Sequence, residues 1–220
     1  MNNNQKPIIL FDLDGTLIDS TEAILESFKF AYQDNDTICN KTDQNIKDTI
    51  GYPLEVMFEE LGVAKNDIKN YVISYKKHYR KISNEKTVML PYAQEAIKEA
   101  SSFATLGIVT TKTTQYSKVL LENKGVMHYF STIIGFQEVQ YPKPHPEPIL
   151  KALENLGAKP TKDIYMIGDT KLDLIAARDA NISSIGVLCG YGVEDELKLY
   201  SDKIVTNSLE AVNLVKKQFS

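Results

Sequence analysis

The stretch IILFDLDGTL at positions 8–17 decides the fold and carries the first candidate site residues. Its nearly continuous apolar start is typical of a parallel strand that is covered on both faces. Asp12 and Asp14 follow at the carboxyl end, and alternation along a strand predicts that both side chains point to one side. Gly15 lets the backbone turn close to a ligand, and Thr16 offers a hydroxyl there. The alternative is a solvated aspartate-rich turn, because the pattern D-x-D-G also suits loops.

Apolar runs alternate with helical patterns through most of the chain. The predicted strands are Ile8–Leu13, Leu106–Thr110, Thr132–Gly135, Ile164–Gly168, Ser184–Leu188 and an edge strand at Ile204–Val205. The predicted helices are Tyr92–Ala104, Gln115–Gly125, Glu147–Gly157, Lys171–Ala180 and a last amphipathic one through Leu209, Val212, Val215 and Phe219. Gly125, Gly157 and Asn181 stand where a helix end favours a left-handed residue. This alternation predicts an α/β fold with a Rossmann-like parallel sheet.

One long segment departs from that alternation. From Thr21 to about Lys86 the sequence has helical patterns and no strand pattern. Its apolar positions recur at helical spacing: Ile24, Leu25, Phe28 and Tyr32, and later Ile68, Val72, Tyr75, Tyr79 and Ile82. An Asp19-x-x-Glu22 capping box is predicted at the start of the first of these helices. A short helix is predicted at Asn45–Ile50, before Gly51, and another at Pro53–Leu61, which opens with proline at a favoured position. We therefore predict a catalytic core of residues 1–18 plus 88–220 and an all-helical insert of residues 19–87, after the first strand.

Composition limits the classes of partner. The 220 residues carry a net charge of −4, which gives no global attraction to nucleic acid or acidic lipid. Only Arg80 and Arg178 are arginine, which further disfavours recognition of a phosphate backbone. We predict no nucleic acid partner, no membrane, and a monomer or homodimer.

Cellular location is predicted from the cysteines and the N-terminus. Cys39 and Cys189 have no metal-ligand spacing, and a reduced setting suits them better than a disulfide. The start, MNNNQKP, lacks the apolar centre of a signal peptide, and no apolar run approaches a membrane span. These features favour the cytoplasm.

A second acidic motif follows another predicted strand. In GDTKLDL, positions 168–174, Asp169 stands at the strand end and Asp173 lies four residues on, on the same face of a helical turn. Taken alone, Asp169 could simply be a helix N-cap. Four carboxylates at one sheet edge repel one another, by about 4 kcal/mol for each close pair at an effective dielectric constant of ~20. A hard divalent cation removes that conflict, so the predicted metal is Mg²⁺, with Asp12, Asp14, Asp169 and Asp173 as the candidate metal residues.

Two further strand ends supply donors. The predicted strand in GIVTTK ends at Thr110, and Thr111 and Lys112 follow it; the three side chains suit phosphate oxygens. Lys143 stands in YPKPHPEP, where the prolines restrict the backbone on both sides. Taken alone, an exposed lysine more often serves solubility.

The four segments in this order resemble the haloacid dehalogenase superfamily of phosphohydrolases, over nearly the full chain. The resemblance rests on DxDGT, a strand-ending threonine, lysine in K-P-x-P, and GDxxxD. It implies Asp12 as the nucleophile that forms an aspartyl-phosphate and Asp14 as general acid and base. It also implies that Thr110 binds the transferring phosphoryl group and that Lys143 neutralises charge on the nucleophile and the phosphate. The ligands of Mg²⁺ would be Asp12, the main-chain carbonyl of Asp14, and Asp169, supported by Asp173.

The same resemblance gives the helical insert a role. It implies a small cap that closes over the substrate, with Gly51 and Tyr52 in its specificity loop; an ordinary helix connection is the alternative. It also makes Lys143–Pro144 a candidate cis peptide. His145 departs from the family pattern, either as a surface residue or as a substrate contact.

Within the superfamily, DGTLIDS, VTTK and the Gly190–Gly192 segment most resemble the phosphoglycolate phosphatase and pyrophosphatase branch. Thr111 stands where many phosphoglycolate phosphatases have Asn, which moves the segment toward the pyrophosphatases. The expected activity is hydrolysis of a small phosphate monoester, with phosphoglycolate-like substrates favoured, so the expected partner is a small phosphorylated metabolite. The alternatives are an inorganic pyrophosphatase, a β-phosphoglucomutase-like sugar-phosphate mutase, and a non-catalytic phosphate-binding protein.

Overall fold

The computed structural model describes residues 6–219. The first five residues and Ser220 lie outside the described range. The predicted outer limits of the core, residues 1 and 220, therefore lie outside it too. So does most of the stretch MNNNQKP, from which the absence of a signal peptide was predicted. The chain forms two compact units: one comprises the chain up to Ile18 and from Met89 onward, and the other spans Asp19–Val88. The first boundary, between residues 18 and 19, is where it was predicted, and the second differs by one residue.

The first unit contains a six-stranded parallel sheet in the order β5-β4-β1-β6-β7-β8. Its strands are β1 (Ile8–Phe11), β4 (Thr105–Val109), β5 (Phe130–Ile134), β6 (Ile164–Gly168), β7 (Ser183–Val187) and β8 (Ile204–Val205). Two short strands, β2 (Ile18–Asp19) and β3 (Val88–Met89), pair separately and were not predicted. The parallel sheet confirms the predicted α/β class.

Helices cover both faces of the sheet. They are α5 (Ala93–Phe103), α6 (Thr114–Asn123), α7 (Glu147–Asn155), α8 (Lys171–Asp179), α9 (Glu194–Leu197) and α10 (Ser208–Lys216). Alternate residues of β1 enter opposite cores: Ile9 and Phe11 pack with α5 and α10, while Leu10 packs with α7 and α8. Every residue of β1 is buried, which explains the nearly continuous apolar run.

The second unit is helical, with α1 (Thr21–Asp34), α2 (Asp43–Lys47), α3 (Leu54–Glu60) and α4 (Ile68–Ile82). Its core is aromatic: the ring centroid of Phe28 lies 4.5 Å from that of Phe58 and 5.1 Å from that of Tyr75. The predicted stripe on α4 is buried apart from its last member, Ile82, which is half-buried. Packing therefore explains the periodicity. No described helix combines the length and the apolar character that crossing a bilayer needs.

Three local predictions are wrong. The first strand ends at Phe11 and not at Leu13, because the chain turns there and Leu17 N and Ile18 N both donate to Leu13 O. The strand alternation invoked for Asp12 and Asp14 therefore does not apply.

The predicted capping box at Asp19 and Glu22 is absent. Ser20 is the N-cap of α1, Asp19 accepts from Thr21 N at 2.9 Å, and Glu22 accepts from Lys86 instead. The helix predicted at Asn45–Ile50 is α2, which starts earlier because Thr42 and Asn45 form a capping box. Gly125, Gly157 and Asn181 do adopt positive φ values at helix ends.

Candidate active site

Three candidate residues follow three neighbouring strands at the centre of the sheet. β1 lies between β4 and β6, so the order of the strands along the chain reverses at β1. At such a point a parallel sheet has a crevice at the carboxyl ends of its strands. Phe11 is level with Ile108 on one side and with Ile167 on the other. The residues that directly follow these strands, Asp12, Thr110 and Asp169, therefore meet at one edge.

The turn after β1 places two carboxylates differently. Asp12 is still held by the sheet, because its N–H donates to Ile167 O at 2.9 Å, and the residue is 6% exposed. Asp14 is half-buried in the turn that follows. Gly15 has a φ of +83°, and a Cβ there would lie 2.3 Å from Oδ2 of Asp169. Glycine is thus needed both for the turn and for the approach of Asp169.

Lys143 binds the nucleophile candidate directly. Its ammonium group donates to Oδ1 of Asp12 at 2.7 Å, to Oδ1 of Asp173 at 2.5 Å, and to Val109 O at 2.9 Å. An ammonium group has three N–H donors, so these three acceptors use all of them. The Lys143 side chain is 3% exposed, so the predicted held charge is fully inside the protein. The Lys143–Pro144 peptide bond is cis, as predicted.

The loop that carries Lys143 is held by a residue that the sequence analysis did not single out. Both oxygens of the Glu147 carboxylate accept main-chain N–H bonds at 2.9 Å, from Gln140 and Tyr141. These bonds lower the pKa of Glu147. His145 is exposed, its ring packs on Tyr141, and its Nδ1 accepts from Glu147 N at 3.2 Å. These contacts give His145 a structural role in the loop.

Asp173 is fully buried, and both of its oxygens already accept protein donors. Oδ1 accepts from Lys143, and Oδ2 accepts from the hydroxyl of Thr170 at 2.8 Å and from Thr170 N at 3.1 Å. Asp173 therefore fixes Lys143 as well as adding negative charge to the site.

Asp169 is also fully buried, and donors hold both of its oxygens. Thr16 Oγ1 donates to Oδ1 and Tyr191 N donates to Oδ2, each at 2.9 Å. A Cβ at Gly190 would lie 2.1 Å from Oδ2 of Asp169, and one at Gly192 would lie 1.9 Å from its main-chain oxygen. Thr16 was predicted to bind substrate; its hydroxyl is turned to Asp169.

Sequence reasoning missed this role of Tyr191. The donor is a main-chain N–H, which leaves no trace in residue identity. The two glycines beside Tyr191, placed just after the end of a strand, were the available signal of a close backbone approach.

Burial raises the pKa values of the central carboxylates. Burial is the main cause for Asp12, whose pKa rises to about 7 although Lys143 opposes the rise. Burial, with Asp12 and Asp173 nearby, also raises the pKa of Asp169. For Lys143, burial acts to lower the pKa, but the charges of Asp12 and Asp173 outweigh it and raise the pKa above the ordinary value.

The donor set fits a divalent cation. Asp12, Asp169 and Asp173 each offer a carboxylate oxygen, and these atoms all lie within 4.8 Å of one another. When the four aspartates and the two lysines of the site (Lys112 and Lys143) are ionised, two negative charges remain unbalanced. An all-oxygen set with that excess suits Mg²⁺ better than a soft metal.

The loop after β4 supplies the remaining polar groups. Thr110 is 4% exposed and its hydroxyl oxygen accepts from Lys112 N at 3.1 Å, a bond that leaves the O–H able to donate. Thr111 is half-buried beside it. The ammonium group of Lys112 lies 3.1 Å from Oδ2 of Asp14, so this lysine contacts a second aspartate of the turn after β1.

Gly51 and Tyr52 lie in the helical unit, in the turn between α2 and α3. Gly51 has a φ of +108°, and both residues are half-buried. Substrate binding by these two residues stays a prediction.

Comparison with known proteins agrees with this geometry. A family model described as haloacid dehalogenase-like hydrolase matches residues 9–187. The chain is 30% identical to a pyrophosphatase PpaX of Oceanobacillus iheyensis, over 96% of this chain and 98% of the relative. It is 26% identical to a phosphoglycolate phosphatase of Salmonella typhimurium, over 91% of this chain and 88% of the relative.

A solved structure has the same fold. A haloacid dehalogenase-like hydrolase from Streptococcus pneumoniae superposes with a TM-score of 0.85 at 29% identity, covering 95% of this chain and 98% of its own.

Proposed function

Because this chain belongs to the haloacid dehalogenase-like hydrolases, we propose that it is a Mg²⁺-dependent phosphatase that uses Asp12 as its nucleophile. The resemblance found in the motifs is thus confirmed at the level of the family, and the chain is an enzyme of the hydrolase class. The observation that supports the proposal most strongly is the buried group of Asp12, Asp169 and Asp173, with Lys143 in contact with Asp12.

In the proposed reaction, the carboxylate of Asp12 attacks phosphorus and forms an aspartyl-phosphate while the ester oxygen leaves. Oδ1 of Asp12 accepts from Lys143, so we assign the attack to Oδ2. Asp14 gives a proton to the leaving oxygen, then takes one from the water that attacks the phosphorus of the aspartyl-phosphate. That second step releases phosphate and restores Asp12.

The other groups hold charge and orientation. All three N–H groups of the Lys143 ammonium donate to protein acceptors, so Lys143 acts on the nucleophile. Thr110 is the candidate donor to the phosphoryl oxygens. Asp12, Asp169 and the main-chain carbonyl of Asp14 would hold Mg²⁺, with Asp173 in support. When bound, the cation supplies charge neutralisation for a loose phosphoryl transition state. Gly15, Thr111, Lys112, Gly51 and Tyr52 remain candidates for substrate binding.

We favour a small phosphate monoester of the phosphoglycolate type as substrate, and pyrophosphate is the second candidate. Two observations support the second candidate: the pyrophosphatase relative is 30% identical, against 26% for the phosphoglycolate phosphatase, and Thr111 also resembles the pyrophosphatases. A cytoplasmic location and a monomer or homodimer remain predictions.

The proposal is tested by phosphate release from a panel of phosphorylated metabolites with and without Mg²⁺. Wild-type protein should release phosphate only with the metal, and Asp12→Asn should lose at least about 10³-fold in rate, because the amide cannot attack. The matched control is Asp163→Asn, since Asp163 is exposed outside the site. Comparable release by Asp12→Asn contradicts the nucleophile. Conversion of β-glucose 1-phosphate to glucose 6-phosphate without phosphate release would indicate the mutase.

A further inference from the structure

We infer that Lys112 is a positioning residue for proton transfer: its ammonium group holds the Asp14 carboxylate where it serves the leaving oxygen. This inference rests on the proposed function, and it gives Lys112 a role other than phosphate binding alone.

The contact itself is close and sheltered. Nζ of Lys112 lies 3.1 Å from Oδ2 of Asp14, and the two side chains are only 10% and 14% exposed. An ion pair with so little access to water is screened less than a surface pair, so it can restrict a side chain that stands in a turn.

Lys112 starts from a fixed point of the backbone. Its N–H donates to Thr110 Oγ1 at 3.1 Å, and its carbonyl accepts from Phe136 N at 3.1 Å. A Cβ at Gly135 would lie 2.6 Å from that carbonyl oxygen, so the loop is pressed against the end of β5. A lysine whose main chain is held on both sides can direct its ammonium group to one place.

Asp14 stands in a different setting from Asp12. Asp12 is held by the sheet and by Lys143, whereas Asp14 lies beyond the end of β1, in the turn closed by the Gly15 N–H bond to Ile18 O. Lys143 spends all three donors on Asp12, Asp173 and Val109. Among the described contacts, Lys112 is therefore the lysine that orients Asp14.

The leaving group separates positioning from phosphate binding. A general acid matters most when the departing oxygen is strongly basic, as an alkoxide is, and least when it is a stabilised nitrophenolate. A lysine that binds only the phosphate affects both esters equally, because both carry the same phosphoryl group.

The experiment compares kcat/KM for p-nitrophenyl phosphate and for a simple alkyl phosphate, since this constant reports the steps up to departure of the leaving group. The variants are Lys112→Met, Lys112→Arg and the reference Asp14→Asn. Lys118→Met is the matched control, because Lys118 is exposed on α6 in the same segment. Melting temperatures are measured for all variants, and Lys112→Gln replaces Lys112→Met if the latter does not fold.

We expect Lys112→Met to lower kcat/KM for the alkyl ester at least about tenfold more than for the aryl ester. Asp14→Asn should show the same selectivity with a larger loss, about 10²–10⁴-fold for the alkyl ester. Lys112→Arg should restore most of the alkyl activity, and Lys118→Met should match wild type.

Equal losses for the two esters in Lys112→Met overturn the inference, as does an Arg variant that discriminates like the Met variant. Failure of the proposed function looks different: wild type then releases phosphate from no phosphorylated metabolite of the panel, or Asp12→Asn remains active.

Discussion

Two lysines contact two aspartates of the same short turn, and their surroundings differ. The inner centre comprises Lys143, Asp12 and Asp173, and the lysine side chain is 3% exposed. The outer pair comprises Lys112 and Asp14, with side chains 10% and 14% exposed. The ammonium group of Lys143 has three acceptors, and these contacts hold Asp12, the proposed nucleophile, in one position. The outer lysine contacts Asp14, which in the proposed reaction exchanges protons with substrate and water.

Removing the inner cation should have the largest effect. Lys143→Met leaves the Asp12 and Asp173 carboxylates buried without their cation, which should cost about 3–5 kcal/mol in the free energy of unfolding. Lys112→Met should cost less, on the order of 1 kcal/mol, because the outer pair is nearer to water. Urea unfolding of the metal-free proteins at pH 7 measures both, and equal losses would mean that the two centres do not differ as described.

Removing the hydrogen bond from Thr16 to Asp169 should have a smaller effect. Thr16→Val removes the 2.9 Å donor to Oδ1 of Asp169, which should cost about 1–3 kcal/mol and raise the Mg²⁺ concentration needed for activity. The alkyl-to-aryl ratio of kcat/KM should not change, because the outer pair is untouched. Thr16→Ser keeps the hydroxyl and is the control; if the serine variant loses as much as the valine variant, the hydrogen bond is not the cause.

The pH dependence of metal binding should give the smallest effect. The pKa of Asp12 is raised to about 7 in the folded protein. Without metal, this carboxyl therefore contributes its full stabilisation below the pKa it has in the unfolded chain, and that stabilisation is lost as pH rises through about 7. Mg²⁺ replaces that proton, so its affinity should fall about tenfold for each pH unit below 7. Mg²⁺ titrations followed by melting temperature at pH 6 and pH 8 measure the difference. Equal half-effect concentrations would show that Asp12 does not compete for the metal.

Much of the inner centre could be predicted from the sequence, because most of its residues directly follow strands. Doubly covered strands are continuously apolar, so Ile8 to Phe11 could be recognised, and parallel strands bring Asp12, Thr110 and Asp169 to one edge. The apolar stripe of α4 could also be recognised, because apolar residues that recur at helical spacing indicate a buried helix face.

What the sequence could not predict is which partner each oxygen takes. Tyr191 N and Val109 O are main-chain groups; any residue type supplies the oxygen, and any except proline supplies the N–H. The choice of Lys112 for Asp14, and of Lys143 for Asp12 and Asp173, depends on loop geometry over long sequence separations. The capping box at Asp19 failed for a related reason, since Glu22 takes a more distant partner, Lys86.

The most direct measurement is the site of covalent phosphorylation during turnover. Enzyme mixed with Mg²⁺ and a hydrolysed ester is quenched in acid, digested and mapped by mass spectrometry. We expect one added phosphoryl group on Asp12 of the wild-type protein and none in Asp12→Asn. Turnover at the full rate with no phosphoryl group on that peptide, or with one on another residue, would contradict it.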